Sequence, residues 1–379
     1  MMKKNNIKCL SIFDGISGCQ QAFKELGIEF DGKDNIYFAS EIDKHAITIT
    51  QKNFPNTVQL GDVKNINYCT DYHLHFNNEK EITCRNIDLI CFGSPCQSLS
   101  IAKRDRKGLN SDDSGLFYEA LRIIKEVKPR FFIMENVKSM SKESRDIISK
   151  ELGVDAVMID SSILTAQSRK RLYWVSKYNE STDKYEQVFI WQPQDQGIML
   201  KDILESGVTW NEKSYALTAS YSGAEIKNTL ERKQRTMIAE PICVASRGRN
   251  IGGGHVPQIL ISYNSSGLVG KNNFVIESKP QRVGHIKGGG QGYRVYNVNN
   301  KSVCLSANGG GAGAKTGLYK IDLPNGDYIV RKLTPIEAER LQGFPDNFTE
   351  GIAKTNRYKA LGNSFTVPVI VHILKHLFE

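Results

Sequence analysis

Nowhere in its 379 residues does the chain hold an apolar run long enough to span a membrane. Its opening residues, Met1-Met-Lys-Lys-Asn-Asn, lack the apolar core of a secretion signal, so the expected place of action is the cytoplasm. The eight cysteines include no C-x-x-C pair, which argues against zinc-ribbon and redox motifs. His73-x-His75 and His372-x3-His376 lack a third ligand at a recognisable spacing and read as ordinary histidines, so no metal is expected. What remains is ordinary globular material: 40% hydrophobic, 24% charged, and long enough for one large domain and a smaller one.

The net charge of +9 is more informative once it is located. Residues 197–332 hold 18 Lys+Arg against 9 Asp+Glu, while the rest of the chain is balanced. A basic segment set into a neutral body suggests a module that binds a polyanion. The same segment is rich in glycine, with 16 of the 32 glycines between Ser246 and Gly317. Short strand-like pieces (259–263, 274–277, 294–298 and 317–321) alternate with glycine clusters there, the pattern of bent β-ribbons that approach a partner closely. Residues 216–224 echo 304–312, which suggests a duplicated ribbon element.

The neutral body reads as an α/β fold. Residues 7–13 form a first strand, Asp14-Gly-Ile-Ser-Gly18 a glycine turn, and residues 19–26 a helix, which together open a nucleotide-type βαβ unit. A second strand, 36–40, ends at Glu41-Ile42, and a short third, 58–63, carries Asp62 at its tip. Acids at successive strand tips suit the hydroxyls and amine of an adenosine-containing cofactor. The apolar run Ile87–Phe92 ends in Gly93-Ser-Pro95-Cys96, which places a thiol at the edge where open sheets bind ligands. The strand 130–134 delivers Glu135-Asn-Val137 to the same edge, giving a plausible nucleophile and acid pair. Between them the basic, aperiodic loop 98–114 has the makings of a lid. Gln167, Arg169 and Arg171 alternate and so share one face of a strand. Thr334, Pro335 and Glu337 form a helix-start signature before Arg340-Leu-Gln-Gly-Phe-Pro345. The polar, Asn-rich stretch 65–86 carries no readable motif.

Taken together, Phe13-Asp-Gly-Ile-Ser-Gly18, Gly93-Ser-Pro-Cys-Gln97, Glu135-Asn-Val137, Gln167-x-Arg-x-Arg171, Arg340-Leu-Gln-Gly-Phe-Pro345 and Gly362-Asn-Ser364 resemble the DNA (cytosine-5)-methyltransferase family of bacterial and phage restriction–modification systems, in that family's order. The resemblance implies a doubly wound, mixed and mostly parallel Rossmann-like sheet over residues 1–196 and 333–379. It also implies a smaller, irregular, β-rich target-recognition domain over 197–332. Cys96 would attack C6 of a flipped cytosine, Glu135 would meet ring N3, and Arg171 would hold the O2 edge, with Arg169 and Gln167, counted in the same catalytic set, supporting the site and nearby loops. S-adenosylmethionine, leaving as S-adenosylhomocysteine, would sit on Phe13, Gly15, Gly18, Glu41, Ile42, Asp62, Pro95, Leu116, Asn363 and Ser364. Ser17 and Leu99 depart from the family's usual small and aromatic residues. The expected partner is double-stranded DNA, bound by a monomer, with a cognate restriction endonuclease as a possible companion. Two rivals are an RNA cytosine-5 methyltransferase on the same scaffold and a catalytically inactive DNA-binding homologue.

Overall fold

The structure is a computed structural model that describes residues 6–69, 72–76, 80–84, 86–94, 112–209, 211–226, 229, 232–241, 243–245, 258–260, 282–285, 294–297, 319–323 and 326–378. The chain divides into two compact units. The first is Met1–Met199, Ala216–Ser222 and Ala338–Glu379; the second is Leu200–Tyr215 and Gly223–Glu337. Sequence alone puts the breaks at 197 and 332, and the segment 216–222 inside the insert. In the structure that segment belongs to the first unit.

The first unit is built on an eight-stranded sheet. Its strands are β1 (Lys8–Ile12), β2 (Ile36–Ser40), β3 (Val58–Gln59), β7 (Leu89–Gly93), β8 (Phe131–Val137), β9 (Ala156–Asp160), β11 (Lys170–Asn179) and β12 (Lys184–Gln187). The main path runs β12-β11-β8-β7-β1-β2-β3, and β9 pairs with β11. The five strands from β3 to β8 are parallel. β11 is antiparallel to β8, β9 and β12. This is the doubly wound mixed sheet expected from the sequence. One face of the sheet is strongly apolar: Leu10, Ile12, Ile90, Phe92 and Met134 are fully buried in the main core cluster. The chain leaves β1 toward β2 on one side and returns to β7 on the other, so a crevice opens beyond the carboxyl ends of β1 and β7.

The helices are α1 (Gly18–Glu25), α2 (Lys44–Asn53), α3 (Asp112–Val127), α4 (Lys142–Leu152), α5 (Pro335–Gln342), α6 (Lys354–Asn363) and α7 (Val367–Phe378). Their ends follow the side chains. Asp43 caps α2 by accepting from the His45 N–H at 2.9 Å, Ser141 caps α4 by accepting from Ser144, and Gly153 closes α4 in the left-handed region. Thr334 and Glu337 form a reciprocal capping box: the Glu337 N–H donates to Thr334 Oγ1 at 3.1 Å, and the Thr334 N–H donates to Glu337 Oε2 at 2.8 Å. Glu337 is fully buried and also accepts two bonds from Arg331, both 2.7 Å. Apolar α7 packs on α1, with the rings of Phe23 and Phe378 5.7 Å apart.

The stretch 65–86, unreadable as sequence, holds a small antiparallel sheet of β4 (Asn67–Tyr68), β5 (His73–Phe76) and β6 (Lys80–Thr83). It buries Ile66, Leu74 and Phe76 against the main core. Arg122 of α3 donates to the Ile66 carbonyl at 2.8 Å while held by Glu119 and Glu126. The imidazoles of His73 and His75 both face Glu81, at 3.7 and 3.6 Å.

The second unit contains an antiparallel-dominated five-stranded sheet in the order Met237–Pro241, Gly326–Lys332, Tyr319–Leu323, Arg294–Asn297, Arg282–His285. The expected strands near 259–263, 294–298 and 317–321 correspond to Gln258–Leu260, Arg294–Asn297 and Tyr319–Leu323. Residues 274–277 and 304–312 lie outside the described residues.

Gly343 follows α5 at φ +80°, and a Cβ there would lie 2.3 Å from Pro368 Cδ. Neither the backbone nor the neighbour leaves room for a side chain. Gly343→Ala is therefore expected to lower unfolding free energy by roughly 3 kcal/mol. Denaturant unfolding followed by circular dichroism checks this.

Candidate active site

Five strand tips converge at the carboxyl edge of the parallel strands. Phe13 follows β1, Glu41 follows β2, β3 leads to Asp62, β7 ends at Gly93 and β8 carries Glu135 near its tip. The register pairs Gly93 directly with Glu135. The approach at Gly93 is close: a Cβ there would lie 3.1 Å from Glu135 Oε2 and 3.4 Å from the Phe365 ring, so the carboxylate would have to shift by a few tenths of an ångström.

Glu135 is ion-paired with Arg171, Nε to Oε1 at 2.7 Å, with both side chains about five-sixths buried (15% and 16% exposed). The pairing follows from strand direction. Arg171 opposes Val137 in the β8–β11 ladder, so Glu135, two residues back, lies diagonally across the same face. A charge-assisted contact of this length in a largely desolvated place orients the carboxylate firmly. Arg171 also donates to the Lys170 carbonyl at 3.0 Å.

Asn136, next in the chain, is buried and points to the other side. Its Nδ2 donates to Ser94 Oγ at 3.2 Å, and its Oδ1 accepts from the Val137 N–H at 2.7 Å. This bond ties the tip of β8 to the residue that follows β7. Pro95 and Cys96, together with the whole of 95–111 including Leu99, lie outside the described residues.

Gln167 and Arg169 do not join Glu135. Shared parity suggests a common face for 167, 169 and 171, but the ladder is interrupted between β10 (Gln167–Ser168) and β11, and the side chains separate. Fully buried Gln167 donates to the Leu341 carbonyl and to Gln342 Oε1, each at 3.2 Å, and accepts from the Leu217 N–H. Arg169 donates to the carbonyls of Leu217 (2.7 Å), Gly362 (3.2 Å) and Ser364 (3.0 Å). The two side chains thus clamp the Leu217 residue at both its N–H and its C=O. These bonds, to backbone and to the Gln342 side chain, suit the part of supporting the site and its loops rather than that of touching a reacting atom. Gly362 completes the clamp, since a Cβ there would come within 2.2 Å of the Thr218 carbonyl carbon.

The glycine turn after β1 is strained and open. Phe13 (φ +57°), Gly15 (φ +61°) and Ser17 (φ +58°) all occupy the left-handed region, uncommon for Phe and Ser. A Cβ on Gly15 would meet nothing within 4 Å, so the space beside the turn is free for a ligand. The Gly15 N–H donates to Glu41 Oε2 at 2.8 Å, and Glu41 Oε1 accepts from the N–H groups of Ile42 and Asp43. Ile42 is 70% exposed, a large apolar side chain left in solvent beside that carboxylate. Asp62 caps a short 3-10 turn through the Lys64 N–H, and Ser40 donates to the Gly61 carbonyl at 2.8 Å, which joins the tips of β2 and β3. Gly18 packs under Phe365, 3.2 Å from where a Cβ would be. Leu116 lies half-buried against the core, and Asn363 is exposed at the end of α6. Ser364 turns inward, its hydroxyl on the Leu361 carbonyl at 2.9 Å.

Beneath the turn lies a polar cluster that the sequence did not announce. Asp14 is buried and accepts from Ser17 Oγ (2.5 Å) and Tyr37 OH (2.8 Å), and Ser17 Oγ also meets Thr50 Oγ1 at 3.0 Å. Cys9, Cys19 and Cys91 pack alongside with their sulfurs within 4.8 Å of one another. All three residues are buried; burial holds the Cys9 and Cys19 thiols well up, whereas hydrogen bonds from Cys19, Cys9, Ser11 and Tyr37 outweigh burial and hold the Cys91 thiol well down. Burial also pushes the Asp14 carboxyl up to about 7, against the lowering pull of its hydroxyl donors.

A glycine turn, three acid-bearing strand tips and a carboxylate–guanidinium pair lie at one edge of a doubly wound sheet, the edge at which α/β enzymes bind their ligands. The family model for C-5 cytosine-specific DNA methylases matches residues 7–379, and the chain belongs to that family, which makes it a DNA (cytosine-5) methyltransferase. Among curated relatives, the type II methyltransferase M.HhaI of Haemophilus parahaemolyticus is 25% identical over 97% of this chain and 93% of its own length. The orphan methyltransferase M.SPRI of Bacillus phage SPR is 24% identical over 98% of both. Among solved structures, a prophage-encoded DNA modification methyltransferase from E. coli superposes with a TM-score of 0.52 at 20% identity, covering 98% of each chain, a likeness of fold.

The Asp14 carboxyl has a consequence for stability. Because its folded pKa lies near 7 rather than near 3.8, the native state binds the proton more tightly than the unfolded chain. Stability therefore falls as pH rises through that window, by an amount on the order of 4 kcal/mol, and stays low above it. Asp14→Asn removes this dependence. The stability difference in favour of the variant is expected to widen between pH 4 and pH 8 in chemical denaturation, whereas parallel pH curves would contradict the assignment.

Proposed function

We propose that this enzyme methylates C5 of a cytosine flipped out of duplex DNA, with Cys96 as nucleophile and S-adenosylmethionine as methyl donor. The observation that carries the reading is the paired register of Gly93 with Glu135 and the 2.7 Å Glu135–Arg171 contact at the carboxyl edge. Cytosine C5 is a poor nucleophile until a group adds at C6. In the proposed sequence the Cys96 thiolate adds to C6, and Glu135 meets ring N3 with a proton or hydrogen bond so that charge does not accumulate on the ring. Arg171 keeps the Glu135 carboxylate turned toward the ring and offers its guanidinium to the O2 edge. Loss of the C5 proton and expulsion of the Cys96 thiolate then restore the aromatic ring. Such an atom is out of reach inside a duplex, so the base must leave the stack.

The residues at the glycine turn suit the donor. The open face of Gly15, the Glu41 carboxylate at the β2 tip, exposed Ile42 and the Asp62 carboxylate offer close backbone approach, a ribose acceptor, an apolar surface and an amine acceptor. Phe13, Gly18, Pro95, Leu116, Asn363 and Ser364 complete the proposed set, with Ser364 contributing through backbone or packing because its hydroxyl is engaged on Leu361. When bound, S-adenosylmethionine supplies an electrophilic methyl group for the activated C5 and leaves as S-adenosylhomocysteine.

The basic segment 197–332 is proposed as the DNA target-recognition domain, and residues 1–196 with 333–379 as the catalytic domain. Its excess of cations and its β-rich second unit support that division. The protein is proposed to act as a monomer in the cytoplasm. Type II relatives such as M.HhaI suggest a cognate restriction endonuclease, and the phage orphan relative the opposite.

The intact protein is expected to form a denaturation-resistant complex with cognate duplex DNA containing 5-fluorocytosine, because fluorine cannot leave C5 as a cation. Cys96→Ala should abolish the complex, and Glu135→Gln should slow methyl transfer at least about 100-fold with DNA binding retained. Absence of the complex with the intact protein on DNA that it binds specifically would favour an inactive DNA-binding homologue. Labelled methyl transfer to transfer RNA but not to duplex DNA would favour the RNA enzyme.

A further inference from the structure

The sheet surface beneath the glycine turn is an unusual place for polar groups. Ser11, Asp14, Tyr37, Cys9, Cys19 and Cys91 occupy positions where a doubly wound sheet normally packs aliphatic side chains against a helix. Burying a carboxyl there costs stability unless something is obtained in return. Its contacts indicate what that is. Asp14 Oδ1 accepts from Tyr37 of β2, and Oδ2 accepts from Ser17, the residue immediately before α1. Ser17 Oγ is in turn 3.0 Å from Thr50 Oγ1 of α2, and the Asp14 N–H donates to the Ser40 carbonyl at the end of β2. One buried side chain therefore joins β1, β2 and α1 directly and α2 at one remove. These elements carry Phe13, Gly15, Gly18, Glu41 and Ile42. The turn it holds contains three left-handed positions at alternate residues, 13, 15 and 17, a conformation that needs such fastening to persist.

We propose that Asp14 is the positioning residue of the methyl-donor site: by accepting from both Ser17 and Tyr37 it locks the strained Phe13–Ser17 turn against β2, so that the Gly15 backbone and the Glu41 carboxylate are preorganised for the donor. The inference rests on the donor site proposed above. Asp14 does not itself reach the open face of the turn, since its side chain is buried on the opposite side among hydroxyls and thiols. Both of its oxygens act as acceptors, a task a carboxylate performs better than a neutral acid or an amide. The ionised form is therefore the one that fastens the turn. The other titratable groups around it are Tyr37 of β2, Cys19 of α1, Cys9 of β1 and Cys91 of β7. A carboxyl pushed up to about 7 makes donor affinity depend on pH across the neutral range, weakening as pH falls.

The test measures equilibrium binding of S-adenosylhomocysteine to the full-length protein by calorimetry, alongside thermal melting, for the parent, Asp14→Asn and Tyr37→Phe. The amide presents one acceptor and one donor where two acceptors are needed. Asp14→Asn is expected to bind roughly 10-fold more weakly with an undiminished melting temperature at pH 8, and Tyr37→Phe roughly 3-fold more weakly. Parent affinity should decline several-fold from pH 8 to pH 6, and that of Asp14→Asn should not. In steady-state assays the KM for S-adenosylmethionine should rise while kcat and the KM for DNA hold. An affinity for Asp14→Asn within twofold of the parent, or a loss of affinity matched by loss of folded protein in both variants, overturns the inference and leaves the donor site standing. Failure of the parent to bind S-adenosylhomocysteine at all overturns both.

Discussion

The antiparallel pairing of β11 with β8 is the constraint on which the site depends. In a wholly parallel sheet, a residue at the start of a strand lies at the opposite edge from the tips of its neighbours. Because β11 runs backwards, its first residues arrive where β8 ends, and Arg171 comes within 2.7 Å of Glu135. The parallel pairing of β7 with β8 then sets Gly93 beside Glu135, where a larger residue would crowd the carboxylate. One reversed strand and one missing Cβ bring an acid, its cation and the stem of the Cys96 loop to a single edge.

Around this edge buried side chains hold the groups proposed to meet the substrate. Gln167 and Arg169 clamp Leu217 and fasten the chain near Gly362 and Ser364, and Asn136 ties Ser94 to β8. Asp14 fastens the glycine turn from beneath. Each is buried and directs its polar atoms at backbone or at other buried side chains. A site held to fractions of an ångström requires such support, and residues in it can matter as much as those that touch the reacting atoms.

Much of the frame is legible in the sequence, for local reasons. Strand tips announce themselves where apolar runs meet Gly, Glu or Asp, and Thr334, Pro335 and Glu337 declare a helix start through hydrogen bonds made within four residues. Function is legible because the chemistry requires particular residues next to those tips. What escaped the sequence is non-local. The alternation of 167, 169 and 171 implies a shared face only if the strand is continuous, and the break at Arg169 sends two of the three inward. Asp14 sits inside a recognisable turn, yet its partner Tyr37 lies 23 residues away, the Thr50 hydroxyl that meets Ser17 lies further still, and nothing local marks either. The stretch 65–86 is polar overall and still folds, because a few apolar residues at alternate positions suffice to seat a small sheet on an existing core.

The central claim is that this edge methylates cytosine at C5 in duplex DNA at a defined sequence. Bisulfite sequencing of DNA from a host expressing the protein tests it most directly. The account predicts protected cytosines at one short recurring duplex sequence, absent when the host expresses Cys96→Ala. A genome with no protected cytosines, despite abundant folded protein, would contradict it.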